Sequence, residues 1–392
     1  MSKAQITLVL PNFRLGGAER QAVELATQLH GGGWGVSLLV CEDEGPLRAA
    51  VERAGIPWED LQTEFWHPKW SPRFWLNLLR TIWRIRTHCV NQRVAILQSF
   101  LYWENQVALA ASVLTPRLRA TIAGRRDTGR FKEGRPHYQW IENLTNRFAT
   151  AIVCNSEGVR EDVLRRELVD PARVLVIPNG VDTERFTPGR SQRAREAFPQ
   201  LAQCRWLVGT VGNLKRQKRH DLLIEAIATM DPALGIGAII VGHDRGEGPA
   251  LERLIADRGL ADRVVLAGPQ EDIPAWLHSF DAFVLSSDHE GMPNVVLEAM
   301  ASGLPVITRP VEGIAELITD GEHGLIVEGK VESIAAAIKR LQSSPELGAT
   351  LGSNARRRVQ GEFNLASLGQ RYGALYERLL AAKSGKKERV PP

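Results

Sequence analysis

Between Phe65 and Trp103 the chain has no aspartate or glutamate, while Lys69, Arg73, Arg80, Arg84, Arg86 and Arg93 all fall in that stretch. The net charge of +4 is modest, so its distribution rather than its size is informative. Cysteine is scarce: Cys41, Cys89, Cys154 and Cys204 stand far apart and match no metal or redox spacing, which fits a reducing compartment. No run of about 18 apolar residues occurs anywhere, and the apolar run in the opening MSKAQITLVLP is too short for a signal peptide. The expected location is the cytoplasm, associated at most with the inner face of a membrane.

What is present is an ordinary globular composition, 44% hydrophobic and 24% charged, in 392 residues. That length exceeds the usual limit for one core and predicts two domains of nearly equal size. Ile6–Leu10 reads as a strand, followed by a loop with Gly16 and Gly17, a helix over 18–29 and a strand over 36–40. This opens a parallel sheet, and the glycine pair lies at the strand's C-terminal end, where such sheets bind ligands. The pair is not the dinucleotide fingerprint, and a plain tight turn competes with a ligand loop.

The segment EFWHPKWSPRFWLNLLRTIWRIR sets Trp66, Trp70, Trp75 and Trp83 among the unopposed cations. Helical spacing from Phe74 through Leu78, Leu79, Ile82 and Ile85 predicts a helix whose apolar face packs on the first sheet. Tryptophan with arginine and lysine is also the composition of a segment resting in a bilayer interface; that contact is assigned mainly to Trp66, Trp70 and the nearby loop. Farther on, GRRDTGRFKEGR gathers Arg125, Arg126, Arg130, Lys132 and Arg135 around Asp127. It reads either as a cradle for an acceptor phosphate or as a solvated loop.

After the turn at Asn179–Gly180, where Asp182 is placed to cap a helical turn, the polar stretch TPGRSQRAREAFPQ marks the domain join. The expected division is 1–185, 186–375, with the last helix able to cross back to the first domain, and a basic tail, 383–392. The strand and helix alternation then restarts: a strand over 206–211 leads into GNLKRQKR, and a strand over 237–241 is followed directly by Gly242. The second half centres on DAFVLSSDHEGMPNVVLEAMASGLPVITRP, Asp281 to Pro310, which reads as strand, loop, helix and strand. A helix starting near Pro293 or Asn294 offers its backbone N–H groups to a phosphate, with Glu290 before it and Glu298 one turn inside it. The competing view is that Glu290 complements the helix dipole and Glu298 is a solvated charge.

At these residues the chain resembles the retaining, nucleotide-sugar-dependent glycosyltransferases of family 4. The resemblance is carried by GGAER at Gly16–Arg20, CNSEGV at Cys154–Val159, IPNGVD at Ile177–Asp182, the basic loop near Lys218 and, most specifically, HEGMPNVVLEAMASGLPVI at His289–Ile307. It implies an α/β fold of the GT-B type, two Rossmann-like doubly wound domains facing a central cleft. It also implies that Glu290 contacts a hydroxyl of the donor sugar and Glu298 the ribose. The backbone of Gly291, Met292, Pro293, Asn294, Val295 and Val296 would hold sugar and diphosphate, and Lys218 would neutralise the leaving diphosphate. Gly16, Gly17, Asn213 and Gly242 complete the expected donor set. The acceptor hydroxyl would attack from the leaving-group side, with a diphosphate oxygen taking its proton. No metal and no separate cofactor is then expected, and no Asp-x-Asp pair occurs. The expected partners are a nucleotide-sugar donor, uridine diphosphate foremost, and a glycan or lipid-linked acceptor, with no nucleic acid.

Three departures accompany the resemblance. Asn213 stands where an arginine is common, making Arg216 the candidate second cation. Glu312–Gly313 stands in place of a glycine pair. Gly124, Arg125 and Arg126 with Asp127 occupy the place where many members carry a histidine, making Asp127 the candidate on the acceptor side. Two other functions compete: a nucleotide-sugar epimerase or hydrolase on a similar fold, and a non-catalytic sugar-nucleotide-binding protein.

Overall fold

The computed structural model describes residues 3–63 and 71–382. Trp66, Trp70 and the tail 383–392 lie outside the described residues. The chain forms two compact units, one holding the residues up to Asn179 together with the last helix, Leu365–Ala382, the other running Gly180–Asn364.

The first unit is built on strands β1 (Gln5–Leu10), β2 (Gly35–Val40), β3 (Trp58–Asp60), β4 (Ile96–Ser99), β5 (Ala120–Arg125), β6 (Ala151–Cys154) and β7 (Val174–Val176). They pair in parallel in the order β3-β2-β1-β4-β5-β6-β7. Helices cover both faces of a parallel sheet, so its central strands read as continuous apolar runs; Ile6, Leu8, Val9 and Leu10 are all fully buried. Thr7 is buried too, and its hydroxyl meets that of Ser37 at 2.9 Å, which removes the cost of placing it there. The last helix contributes Leu368, Tyr372, Leu375 and Tyr376 to this core, and Tyr376 donates its hydroxyl to Gln98 Oε1 at 2.7 Å.

The second unit repeats the plan with β8 (Trp206–Val211), β9 (Ile236–Val241), β10 (Val264–Gly268), β11 (Ala282–Leu285), β12 (Val306–Thr308) and β13 (Leu325–Ile326). Their order is β10-β9-β8-β11-β12-β13, again parallel, so the chain reverses its direction of travel between β8 and β11. Loops that leave two such strands at a topological switch point diverge, and the crevice between them is where open α/β sheets take ligands. The Lys218 loop leaves β8 and the Glu290 loop leaves β11.

Two expectations are corrected here. The helix Pro72–Asn91 does bury Ile85 and Cys89 in one cluster with Val9, Leu39 and Leu97, and Phe74 is buried edge-on to Trp103. It also leaves Trp75, Leu76, Leu79 and Trp83 exposed, so it has a second apolar stripe that the core does not absorb. The arginine-rich segment is neither a phosphate cradle nor a solvated loop at Arg125 and Lys132. Both side chains are buried, in contact with Glu142, Glu167 and Asn146 contributed by the helix Pro136–Asn146 and the residue after the helix Glu157–Arg166. No helix among the described residues is long and apolar enough to cross a membrane.

Candidate functional site

Between β11 and β12 the loop Ser286–Pro293 carries the chain into the helix Asn294–Ala301. Pro293, at φ −75° and ψ 107°, is extended and starts the helix without a capping side chain. The positive end of the helix dipole therefore lies beside Gly291 and Met292, both buried. Glu298 sits in the second turn and is 4% exposed, which is incompatible with a solvated surface charge.

Glu290 is buried as well, and its Oε1 lies 2.6 Å from Lys218 Nζ. The pairing is set up by the backbone. After β8 the chain makes one tight turn at Arg216–Lys218, and Arg219 then takes a left-handed conformation at φ 50° that lets the next helix, His220–Ala228, begin at once. The two loops are stitched together three more times: Asp288 N donates to Gln217 O at 2.9 Å, Gln217 Nε2 to His289 O at 2.7 Å, and Ser286 Oγ to Lys218 O at 2.9 Å. Lys218 and Glu290 thus meet because these contacts hold their loops in register across the switch point.

Around this pair lie residues that the motif reading did not single out. Arg309, directly after β12, donates from Nη1 to Ser286 O at 3.0 Å, Ser287 O at 3.1 Å and Asp288 Oδ1 at 2.5 Å. Arg219 reaches the same Asp288 oxygen at 3.4 Å. Burial pushes the Asp288 carboxyl up, but the Arg309 hydrogen bond and the two guanidinium charges outweigh it and hold the group below its ordinary range. Beneath the basic loop, burial and then the Lys218 charge push His220 down to about 4, so its imidazole is neutral near pH 7. Arg309 and Asp288 flank the motif in sequence, but nothing in their local pattern shows that they meet.

Two glycines show how closely the loops approach. A Cβ on Gly242 would overlap Gly212 O, so the loops after β8 and β9 touch at backbone level. Gly313 has φ +77°, and a Cβ there would meet Gly291 O and sit 2.8 Å from Met292 Cα. Its neighbour Glu312 accepts from Glu290 N at 3.3 Å, which adds a carboxylate beside the loop. Asn213 is half-buried in the same region, with its carbonyl accepting from Lys215 N at 2.8 Å. Arg216 is exposed and lines, with Lys215, Arg219, His220, Asp221, Glu247, Leu251 and Asp288, a pocket of about 420 Å³. Val295 is half-buried and Val296 fully buried in the first turns of the helix.

The first unit places its candidates differently. Gly16 precedes the helix Gly17–Gly31, but the Glu19 carboxylate folds back onto Gly16, so this helix start already carries an anion of its own. Burial raises the Glu19 carboxyl above its ordinary value. Asp127 is exposed, and its Oδ1 accepts from Thr128 N at 2.8 Å. Arg126 turns inward instead, donating to Asn179 Oδ1 at 2.9 Å and Tyr372 OH at 3.2 Å.

Residues 15–185 match the family described as Glycosyltransferase Family 4, and residues 205–344 the family described as Glycosyl transferases group 1. The lipopolysaccharide core biosynthesis glycosyltransferase LpsE of Rhizobium meliloti (strain 1021) is 33% identical over 238 residues, 60% of this chain and 66% of that protein. The UDP-Gal:alpha-D-GlcNAc-diphosphoundecaprenol alpha-1,3-galactosyltransferase of Escherichia coli is 29% identical over 244 residues, 61% of this chain and 63% of that protein. These matches span somewhat less than two thirds of the curated relatives' length. Among solved structures, Anabaena HepE in complex with UDP-glucose has a TM-score of 0.82 at 22% identity, covering 96% of this chain and 100% of that one. WaaG, described as a glycosyltransferase involved in lipopolysaccharide biosynthesis, has a TM-score of 0.72 at 18% identity, covering 95% and 99%. Residues 15–185 thus form a Glycosyltransferase Family 4 domain and residues 205–344 a Glycosyl transferases group 1 domain, on the fold of GT-B neighbours: the chain is built of glycosyltransferase domains.

Proposed function

We propose that this chain is a retaining, metal-independent glycosyltransferase that moves a hexose from a uridine diphosphate sugar to a glycan or lipid-linked acceptor, working from the cytoplasm in cell-envelope polysaccharide or glycolipid assembly. The observation that carries the reading is the Lys218–Glu290 pair, 2.6 Å apart beside the N-terminus of the helix Asn294–Ala301. A diphosphate at that helix end would gain the dipole and the Lys218 charge together, both aimed at the oxygen where negative charge grows as the glycosidic bond breaks. Glu290 holds Lys218 in place until the donor arrives, then accepts from a sugar hydroxyl. Glu298, buried one turn inside the helix, accepts from the ribose. Arg216 is the remaining candidate for a second diphosphate cation, and Asp127 for the acceptor side. The acceptor hydroxyl bonds to the anomeric carbon on the face the diphosphate leaves, and a phosphate oxygen takes its proton. No enzyme carboxylate becomes covalently attached, unlike the two-carboxylate hydrolases. The uridine nucleotide is supported by structural neighbours solved in complex with UDP and UDP-glucose, and the envelope role by relatives named for lipopolysaccharide and capsule synthesis.

The test incubates the protein with a panel of radiolabelled nucleotide sugars, a membrane extract and a chelator. Label passing into lipid-extractable material, with the anomeric configuration of the donor preserved by NMR, is the expected result. An isomerised sugar nucleotide formed without acceptor would overturn the transferase reading. Loss of activity with the chelator would overturn metal independence.

A further inference from the structure

The helix Pro72–Asn91 carries two apolar stripes where a surface helix needs one. The inner stripe, Phe74, Ile85 and Cys89, is buried. The outer one, Trp75, Leu76, Leu79 and Trp83, is 53%, 65%, 62% and 59% exposed. With about 100° of rotation per residue, these four side chains fall within an arc of roughly 100° on the helix surface. The patch continues past the helix: the Arg86 guanidinium lies 4.6 Å from the Trp83 ring centroid and donates to Leu114 O at 3.1 Å, bringing exposed Val113 and Leu114 alongside. No acid lies on this helix, while Arg73 and Arg80, both exposed, flank the stripe.

We propose that this outer face docks the protein on an anionic lipid surface, with the helix lying in the plane of the interface. A contiguous apolar patch bordered by cations is what a negatively charged headgroup layer complements: indole rings favour the boundary between headgroup and acyl chain, and arginines beside them reach the phosphates. A second copy of this chain is a poorer occupant, because a two-fold contact through this face would set Arg73 and Arg80 against like charges. The proposal rests on exposed side chains of the described helix and not on Trp66 or Trp70. It is independent of the donor reading, since none of these residues belongs to the Lys218–Glu290 site.

The experiment sediments the full chain with vesicles of pure phosphatidylcholine and with vesicles of three parts phosphatidylcholine to one part phosphatidylglycerol. Binding only to the anionic vesicles is expected, weakening as salt is raised. The double variant Trp75→Ala/Trp83→Ala is expected to bind at least about tenfold more weakly, and Arg73→Glu/Arg80→Glu to lose the salt dependence with a comparable drop. Both variants should keep the wild-type thermal midpoint and the wild-type thermal shift with uridine diphosphate, which separates this outcome from any failure of the donor reading. Wild-type vesicle binding by both variants overturns the proposal, as does a wild type that ignores anionic vesicles. A wild-type dimer that Trp75→Ala/Trp83→Ala converts to monomer would assign the face to a second copy instead.

Discussion

Lys218 and Glu290 each neutralise a charge that would otherwise be left in a partly dry site, with 19% and 11% of their side chains exposed. Removing one therefore harms the other as well as the reaction. Lys218→Ala is expected to lower turnover by about 10²-fold or more, because the leaving diphosphate loses its point charge. Glu298→Ala should instead weaken donor affinity, read as a smaller thermal shift with uridine diphosphate. Wild-type turnover in Lys218→Ala would remove its role. His220 gives a pH dependence of known sign. An unfolded imidazole titrates near 6.5 and the buried one near 4, so between those values the unfolded chain binds the extra proton. The stability this residue permits is complete above about pH 6.5 and is lost as the pH falls towards 4, by about 3 kcal/mol. His220→Gln should flatten the fall of the thermal midpoint over that range; a profile that overlays the wild type would exclude His220 as its source.

At the scale of elements, the loops after β8, β9 and β11 and the turn at Gly313 are held so close that backbone touches backbone. Gly313→Ala would force a Cβ into Gly291 and Met292 at a left-handed φ, and is expected to cost about 1–3 kcal/mol and to weaken donor binding with it. A variant with unchanged thermal midpoint and affinity would show that the loop 309–313 can move away freely. In the first unit, Arg125 and Lys132 face Glu142 and Glu167 in a buried set of two cations and two anions. Burial pushes Glu167 up, but the charge and hydrogen bonds of Arg125, with Lys132 behind them, hold it below its ordinary value. Lys132→Met leaves two buried carboxylates sharing one guanidinium, and destabilisation of about 3 kcal/mol or more is expected in thermal unfolding.

For the whole molecule, the last helix is part of the first core although it follows the second unit in sequence. Tyr372 and Tyr376 are fully buried there, and Arg126 meets Tyr372 OH. Deleting residues 365–392 should therefore expose the first sheet, read as dye binding and loss of solubility, whereas Tyr376→Phe should cost only about 1 kcal/mol through its bond to Gln98. Equal solubility of the deleted chain would place the first unit's stability elsewhere. The sequence by itself determined the alternation of strand and helix, the restart of the pattern near the middle and the loop and helix at Glu290 to Ala301, because apolar period and helix-starting residues are local properties of the chain. What only the tertiary structure decided is the fate of the charges and aromatics. Arg125 could not be assigned until Glu142 and Glu167 arrived from other elements, and Lys218, singled out from the basic loop, gained its partner only when Glu290 came 72 residues later. Leu79 read as part of the core-facing stripe until the sheet took the other side of its helix. A side chain's partner and its exposure depend on what distant segments bring to it, and no local pattern records that.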